Sequence, residues 1–190
     1  MIYIILVAIV VIAILGIYAY FGGFSTVKVR TEVAGGEVIV YKEVKGAYKQ
    51  TADITNEIYY YLLNELGIET YKGIGIFYDN PKEVEKGKLR SESGCIIEAG
   101  DIGRLNPDEC KYRIQTLSTD TVITAELPFK GTLSIFMGFI KVYPAIEEYA
   151  RAQHMGNGPI IEIYDVPNKK IIYRKLTLID RQKSSSQCDY

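Results

Sequence analysis

Two copies of one strand-and-turn pattern, 86 residues apart, constrain the fold of this chain more than any other feature. Residues 76–81 read IFYDNP and residues 162–167 read EIYDVP, so the copies share Tyr, Asp and Pro in the same order. Apolar and β-branched residues followed by Asp and Pro are typical of a strand that ends in a turn. A second landmark, at residues 44–46 and 129–131, recurs at an offset of 85. The repetition predicts a duplicated scaffold.

The predicted elements follow the same order in each half of the chain. The periodicity of the apolar residues predicts strands at 27–30, 37–42, 73–78 and 90–98 around a helix at 51–66, then strands at 112–117, 121–127, 160–164 and 170–179 around a helix from about 132. We expect Pro144 to kink or split the second helix, and Gly35 and Gly36 to form a hairpin or a short connection. This order predicts an α+β fold, a pseudo-two-fold duplication of a strand-strand-helix-strand-strand unit.

The first 26 residues carry no charged side chain, and residues 2–21 are almost wholly apolar. Twenty helical residues span about 30 Å, the thickness of the hydrocarbon core of a bilayer. The run is longer than a signal-peptide core and has no basic residues before it. The alternative is a signal peptide cleaved near Ala19 and the Gly22-Gly23 pair. We predict a transmembrane anchor over residues 1–26 that meets the lipid bilayer through residues 2–21.

Charges and cysteines favour a cytosolic position for the rest of the chain. Lys28 and Arg30 follow the span, whereas only the terminal amine precedes it, so the positive-inside bias orients the C-terminal part to the cytosol. Three cysteines without CxxC spacing favour a reducing compartment, with a Cys95–Cys110 bridge left open. We expect one cytosolic domain at 27–180 and a polar tail at 181–190, at the ER membrane of a eukaryote or the inner membrane of a bacterium.

Composition lowers the expectation for several classes of function. The 22 basic and 23 acidic residues are well mixed, with a net charge of −1, and they form no basic stripe, so we expect no nucleic-acid partner. No metal-ligand spacing and no Ser/His/acid or Cys/His set is present, so we expect no metal, no cofactor and no catalytic residues. The chain has 16 tyrosines and no tryptophan. Tyrosine suits both half-buried strands and ligand pockets.

Glu162 is the residue that does not fit its strand. An ionised carboxylate in an apolar run costs several kcal/mol unless it is paired. Alternation puts Ile160, Glu162 and Tyr164 on one face and Ile161 and Ile163 on the other, against the helix. In the first copy the matching face holds Ile74, Ile76 and Tyr78. The predicted ligand-binding set is Glu162, Tyr164, Tyr78, Ile76, Ile160 and Tyr41.

A cleft between the two units is a natural place for a ligand. A carboxylate among tyrosine rings and hydroxyls suits a cation or a hydrogen-bond donor. The alternative is that Glu162 lies on a solvent-exposed sheet face or pairs with a nearby Lys or Arg.

Several stretches together resemble the GyrI-like ligand-binding domains, which are also related to SOUL-like folds. They are residues 37–48, 76–81, 89–91, 94–95, 133–135, 142–145 and 162–164, and the resemblance covers about residues 27–180. It implies the duplicated fold described above. It also implies that a Glu before the last hairpin lines the cleft and meets cationic, lipophilic compounds, and Glu162 occupies that position. Some relatives use this Glu with an aromatic partner to hydrolyse reactive small molecules.

The match is best to the membrane-anchored branch of this family, which includes an ER-phagy receptor with a cytosolic domain. That receptor has a long acidic tail with an adaptor-binding motif, whereas residues 181–190 here are few and polar. The first hypothesis is therefore a membrane-anchored module that binds a small molecule or a partner segment through Glu162. The second is an adaptor at the ER membrane. The third is a hydrolase in which Glu162 is the general base, assisted by Tyr164 or Tyr78.

Overall fold

A computed structural model describes residues 1–24, 26–156 and 158–177 of the chain. Its helices and strands are α1 (Ile2–Tyr20), β1 (Val29–Ala34), β2 (Val38–Lys45), α2 (Thr51–Glu65), β3 (Lys72–Phe77), β4 (Arg90–Ile97), β5 (Arg113–Thr116), β6 (Asp120–Pro128), α3 (Thr132–Met137), α4 (Tyr143–Ala152), β7 (Ile160–Asp165) and β8 (Lys170–Leu176). The predicted tail at 181–190, the last residues of the predicted domain and Cys188 lie outside the described residues.

The eight strands form one antiparallel sheet whose order reads the same from both ends. The order is β1-β6-β8-β7-β3-β4-β2-β5, so β7 and β3 meet at the centre as equivalent strands of the two halves. The outermost strands are exchanged, because β1 pairs with β6 and β5 pairs with β2. The predicted pseudo-two-fold α+β fold is confirmed. The possible β1–β2 hairpin was wrong, and the Gly35-Gly36 link is a short connection between separated strands.

The sheet curls strongly about its centre. Arg174 in β8 and Glu37, just before β2, form an ion pair of 2.7 Å between Nη1 and Oε1. These strands lie four places apart in the sheet, which in a flat sheet would separate them by about 19 Å. The ion pair therefore requires the sheet to bend until its two ends approach each other. The bend gives the sheet a concave and a convex face.

The helices of the domain pack on the convex face in two separate clusters. In the first half, Ile58 and Leu62 of α2 pack against Val40, Cys95 and Ile97 of the sheet. The second half buries Met137, Val142, Ile146 and Ala150 from its helical segments against Ile123, Ala125, Leu127, Ile171 and Tyr173. Each helix buries one apolar side, as its spacing predicts. The predicted helices are confirmed on both halves.

Strand residues from both halves fill the concave face. Their cluster is Ile39, Tyr41, Ile74, Ile76, Ile96, Ile161 and Ile163. The prediction that Ile161 and Ile163 pack against the helix was therefore wrong. Alternation separated the two sides of β7 correctly, but the side bearing Glu162 is the one that the helices cover.

The second helical region is interrupted, as Pro144 predicted. A π-helical turn at Gly138–Val142 follows α3, and Pro144 occupies one of the first positions of α4. In a regular α-helix the proline ring would clash with the carbonyl four residues earlier, and the wider π-helical turn before it is a common way to accommodate such a residue. The helical run continues through this turn, and Tyr143 follows it as the first residue of α4.

The helix α1 is the one helix among the described residues that is long and apolar enough to cross a membrane. Its C-terminal end is held to the domain by two lysines. Lys130 Nζ donates to the Tyr20 carbonyl (2.6 Å), and Lys141 Nζ donates to those of Gly22 and Gly23 (2.9 and 2.6 Å). The end of α1 therefore lies beside the segment from 130 to 141.

Cys95 is buried and Cys110 is partly buried, and both are free thiols. The Cys95–Cys110 bridge that the sequence left open is therefore not formed in this structure.

Candidate functional site

An open cleft of about 1440 Å³ runs over the convex face, between α2 and the connection after β3 on one side and α3 and α4 on the other. Its first-half wall includes Tyr48, Thr51, Phe77 and Leu89. The opposite wall includes Ile135, Phe136, Phe139 and Tyr143. Strand β7 contributes Ile160, Glu162 and Tyr164 to the same cleft. The predicted cleft between the two halves is present.

Glu162 is a buried carboxylate of this cleft, with 6% of the residue exposed. Two tyrosine hydroxyls donate to it, one to each oxygen. Tyr143 donates to Oε1 at 2.8 Å and Tyr164 donates to Oε2 at 2.5 Å. Hydrogen bonds to an ionised acceptor are short and strong. The two donors therefore fix the carboxylate, and the alternative of a Lys or Arg partner is not what the structure shows.

Glycines on the neighbouring strand, across from Glu162 and Tyr164, leave room for Phe77 and Thr55. Glu162 is paired across the sheet with Gly75, and Tyr164 with Gly73. A Cβ at Gly75 would lie 2.9 Å from the ring of Phe77, and one at Gly73 would lie 3.1 Å from Thr55 of α2. Side chains at these positions would crowd the groups beside the acid. The Gly73-Ile-Gly75 segment is thus explained by packing on β3.

Aromatic rings surround the carboxylate on the second-half side. The Tyr143 ring packs edge-on against the Tyr173 ring, with centroids 6.1 Å apart. The centroid of the Tyr143 ring lies 5.5 Å from that of the Phe139 ring. Tyr164 packs edge-on against Phe129 at 5.9 Å. Ring faces around an acid attract organic cations, which gain both the charge interaction and contact with the rings.

Burial controls the electrostatics of the site. Burial raises the pKa of Glu162, while the hydrogen bonds from Tyr164 and Tyr143 oppose that rise without cancelling it. Burial and the nearby Glu162 charge also raise the pKa values of Tyr143 and Tyr164, so both remain hydroxyl donors. The site therefore favours neutralising the acid, by a proton or by a bound cation.

The hydroxyl of Tyr173 is buried and has no hydrogen-bond partner among the described residues. Burial, and then the charge of Glu162, raise the pKa of this group. A buried hydroxyl without a partner is costly. Tyr173 thus places a third tyrosine hydroxyl near Glu162, beside those of Tyr143 and Tyr164, and this hydroxyl has no partner among the described residues.

A second acid in the cleft is already engaged by a lysine. Lys175 of β8 is only 2% exposed, and its Nζ lies 2.5 Å from Oε1 of Glu147 on α4. Both residues line the cleft together with Glu162. The cation of Lys175 thus lies with Glu147, while tyrosine hydroxyls hold Glu162.

The structure brings together only part of the predicted ligand-binding set. Ile160, Glu162 and Tyr164 line the cleft on one face, as the alternation predicted. Ile76 and Tyr41 lie on the concave face, so placing Ile76 on the face of Glu162 was wrong. Tyr78 lies at the rim of the cleft, but its hydroxyl donates to Glu92 at 2.8 Å and not to Glu162.

The cause of the error at Ile76 is the strand register. The motif alignment matched Ile76 with Glu162, whereas the sheet pairs Ile76 with Ile161 and Gly75 with Glu162. Directly paired residues share a face, so a shift of one residue moves a side chain to the other face. The residue beside Glu162 on the first-half strand is therefore a glycine.

Sequence reasoning missed Tyr143, Phe139 and Lys175. Tyr143 lies in the stretch 142–145 that carries the GyrI-like resemblance, and this was the available signal for it. Lys175 had none, because strand alternation by itself does not distinguish a buried lysine from an exposed one.

Two curated proteins are similar in sequence. The chain is 27% identical to testis-expressed protein 264 of Homo sapiens over 158 residues. This alignment covers 76% of this chain and 48% of that protein. The homolog of Mus musculus is 24% identical over a stretch of the same length and coverage. The chain therefore spans about half the length of the curated relatives it matches. No protein-family profile matches the sequence.

Solved structures share the architecture at low sequence identity. The C-terminal domain of EcmrR aligns with a TM-score of 0.51 at 11% identity, over 78% of this chain and 96% of that one. This C-terminal domain of EcmrR is a GyrI-like domain, and the present chain shares its fold. SAV2435 bound to tetraphenylphosphonium aligns equally well, with a TM-score of 0.51, 11% identity and 78% and 92% of the two chains. An integron cassette protein of Vibrio cholerae gives 0.52 at 11% identity, over 80% and 96%.

Proposed function

We propose that this chain is a membrane-anchored GyrI-like domain whose cleft binds a cationic, lipophilic small molecule, with Glu162 as the anchor for the charge. The observation that carries the proposal is the Glu162 carboxylate, buried in an open cleft and held by two tyrosine hydroxyls rather than by a cation. The buried charge of Glu162 destabilises the domain when no cation is bound, and a bound cation offsets that cost. The organic cation bound by SAV2435, a protein of the same fold, supports this chemistry.

The aromatic walls favour a lipophilic cation over a small hydrated one. Phe136, Phe139 and Tyr143 face the cleft from one side and Tyr48 and Phe77 from the other. Apolar walls with a few convergent polar groups are the usual make-up of small-molecule sites. Within this proposal the ligand places its charge near Glu162 and its apolar groups on both walls.

Tetraphenylphosphonium is the probe that tests the proposal. We expect Glu162→Gln to weaken its binding to the full chain by about tenfold or more, since one charge pair in a buried site contributes over 1.4 kcal/mol. Isothermal titration calorimetry in detergent micelles measures the dissociation constant. Equal binding by the variant and the parent would remove Glu162 from the site.

The chain offers a matched control in Glu92. Its carboxylate also accepts from a tyrosine hydroxyl, that of Tyr78, and from the Gln115 amide, at 2.8 Å in each case. It belongs to the concave side of the sheet, since it is paired with Ile76. Glu92→Gln should therefore leave tetraphenylphosphonium binding unchanged, and weakening equal to that of Glu162→Gln would indicate a general loss of structure or charge.

We further propose that α1 spans the membrane once and leaves the domain in the cytosol, at the ER membrane in a eukaryotic cell. The length and apolarity of α1 support the span, and Lys28 and Arg30 after it support the orientation. The chain has no Asn-x-Ser/Thr sequon. Glu85→Asn with Gly87→Thr creates one in an exposed turn, and a Cβ at Gly87 meets nothing within 4 Å.

The engineered sequon reports which side of the ER membrane the domain occupies. In cells, the variant should stay unglycosylated, because the acceptor would be cytosolic. A shift in mass that endoglycosidase reverses would place the domain in the lumen and contradict the orientation. A glycosylation site placed before Met1 is the positive control.

A second candidate is an adaptor at the ER membrane that captures a protein segment. It is favoured by the similarity to testis-expressed protein 264 and by the volume of the cleft, about 1440 Å³, which exceeds the roughly 300–1,000 Å³ of a typical small-molecule site. An adaptor should keep its partner when Glu162 is replaced by Gln. Failure to capture any partner that depends on the surface of the domain would count against the adaptor.

A third candidate is hydrolysis of a reactive small molecule with Glu162 as the base. Tyr164 contacts Glu162 and Tyr78 does not, so Tyr164 and Tyr143 would be the assisting hydroxyls. Turnover of a strained electrophile by the parent and not by Glu162→Gln would support it. Equal, background turnover by both would end this candidate.

A further inference from the structure

The segment from α3 into the π-helical turn is apolar on two opposite sides. Residues 131–140 contain no charged side chain, and Lys130 and Lys141 bracket them. Met137 and Val142 are buried against the sheet. Leu133, Phe136, Phe139 and Ile140 are 49%, 58%, 42% and 49% exposed. We call these four residues the α3 stripe.

A stripe of this kind is unusual on a surface that meets only water. Single exposed apolar residues are common, but a contiguous patch of large ones marks a surface that binds something. Positions 133, 136 and 140 are spaced at i, i+3 and i+7 and therefore share one side of the helical segment. The question is what covers them.

The α3 stripe is joined to the end of α1. The lysines that bracket it, Lys130 and Lys141, donate to the carbonyls of Tyr20, Gly22 and Gly23. Lys130 also lies 4.5 Å from the centre of the Tyr20 ring. Because α1 has 19 residues and spans about 28 Å, residues 20–23 would lie at the lipid–water boundary. Both ends of the stripe are therefore tied to that boundary.

We infer that the α3 stripe rests in the interface of the bilayer that α1 spans. Apolar residues flanked by lysines are the composition of interfacial helices, whose apolar side lies about 5–10 Å deep among the lipid head groups while the lysines reach the phosphates. The inference rests on the proposed membrane span of α1. It adds a second contact that fixes how the domain sits on the membrane.

This contact determines where the ligand comes from. Phe136 and Phe139 belong both to the α3 stripe and to the lining of the cleft. With the stripe in the interface, that wall of the cleft opens at the lipid surface. The ligand is then a lipophilic cation dissolved in the cytosolic leaflet, which reaches Glu162 without crossing bulk water.

The absence of tryptophan makes a direct test possible. In the full chain reconstituted into phosphatidylcholine vesicles, a single Phe136→Trp or Leu133→Trp reports contact with lipid brominated in the upper acyl chain. Tyr60→Trp is the matched control, because Tyr60 lies on α2 and is also 58% exposed. Ile9→Trp, inside α1, reports whether the anchor is inserted.

We expect quenching and a blue shift for the tryptophans at 9, 133 and 136 and neither for the one at 60. Quenching at 9 without quenching at 133 and 136 would overturn the inference and leave the anchor in place. No quenching at any position would overturn both. A blue shift at 136 without quenching would show that protein, such as a second copy, covers the stripe. Quenching at 136 but not at 9 would support the surface contact and contradict the anchor.

Discussion

The two halves of the sheet carry equivalent strands, but their helices cover them differently. In the first half, α2 is continuous over 15 residues and lies directly on the sheet, where Thr55 hydrogen-bonds Ser93 at 2.8 Å. In the second half, a π-helical turn divides the helix into α3 and α4. Beneath the first helix the central strand carries glycines, and beneath the second it carries Glu162 and Tyr164.

This difference shows how one scaffold can pack one helix closely on its strand and use the other helix to hold a carboxylate. We call the first half the closed half for that close helix packing. The continuous helix closes its half because Gly73 lets Thr55 approach the strand. In the second half, Tyr143 at the start of α4 instead donates its hydroxyl to Glu162 on the sheet. The scaffold does not need an acid at the centre, because β3, the strand of the first half that is equivalent to β7, carries none. We therefore interpret the second half as specialised for binding.

The largest effect is expected in the closed half. Leu62 of α2 is fully buried, so Leu62→Ala should lower the free energy of unfolding by about 2–5 kcal/mol through lost burial and a cavity. Tyr60→Ala, an exposed change on the same helix, should stay within about 0.5 kcal/mol. Urea unfolding in detergent micelles measures both. Similar small effects would mean that α2 does not pack as tightly as described.

A smaller effect is expected where the divided helix meets the sheet. A Cβ at Gly138 would lie 1.9 Å from the hydroxyl oxygen of Tyr173. Gly138→Ala should therefore cost about 1–3 kcal/mol by overpacking. Tyr173→Phe removes that oxygen, and because the hydroxyl is buried without a partner, the single change should be neutral or stabilising. The ring carbon Cζ would still lie 2.6 Å from that Cβ, so Tyr173→Phe should relieve only part of the cost of Gly138→Ala. Additive effects in the double variant, with no relief at all, would contradict this geometry.

The smallest effect depends on pH. Burial raises the pKa of Glu162 in the folded state above its ordinary value near 4.5. Between pH 4.5 and the raised pKa of the folded state, the folded protein keeps a proton that the unfolded chain has lost. The free energy of unfolding therefore falls as the pH rises through this window. Glu162→Gln cannot lose a proton, and it should gain stability relative to the parent from acid toward neutral pH. Thermal unfolding across that range measures the difference, and parallel curves would contradict it.

Much of the fold was predictable because it depends on local patterns. Alternation located the strands, Pro144 predicted the divided helix, and the repeat predicted the duplication. The exchange of β1 and β5 between the halves was not predictable, since it depends on pairing between residues far apart in sequence. Local patterns identify elements, but they do not identify the partners of edge strands.

The site was predictable only where one residue broke its own pattern. Glu162 was visible as an acid in an apolar strand, and Tyr164 followed from alternation. Tyr143 was missed because its contact with Glu162 joins two different elements, α4 and β7, which local patterns do not bring together. Ile76 was misplaced because the motif match does not fix the face of the sheet: Ile76 is paired with Ile161, whose side chain lies on the face opposite Glu162. Residues whose roles depend on long-range register need the structure.

The most direct test of the account is the titration of Glu162 itself. In the chain labelled with ¹³C at glutamate side-chain carboxyls, the Glu162 signal is assigned by its loss in Glu162→Gln. We predict a midpoint above the ordinary value near 4.5 in the free protein, because burial disfavours the charge. Saturating tetraphenylphosphonium should lower the midpoint, since a bound cation favours the ionised form. An ordinary midpoint that the cation does not move would contradict the account.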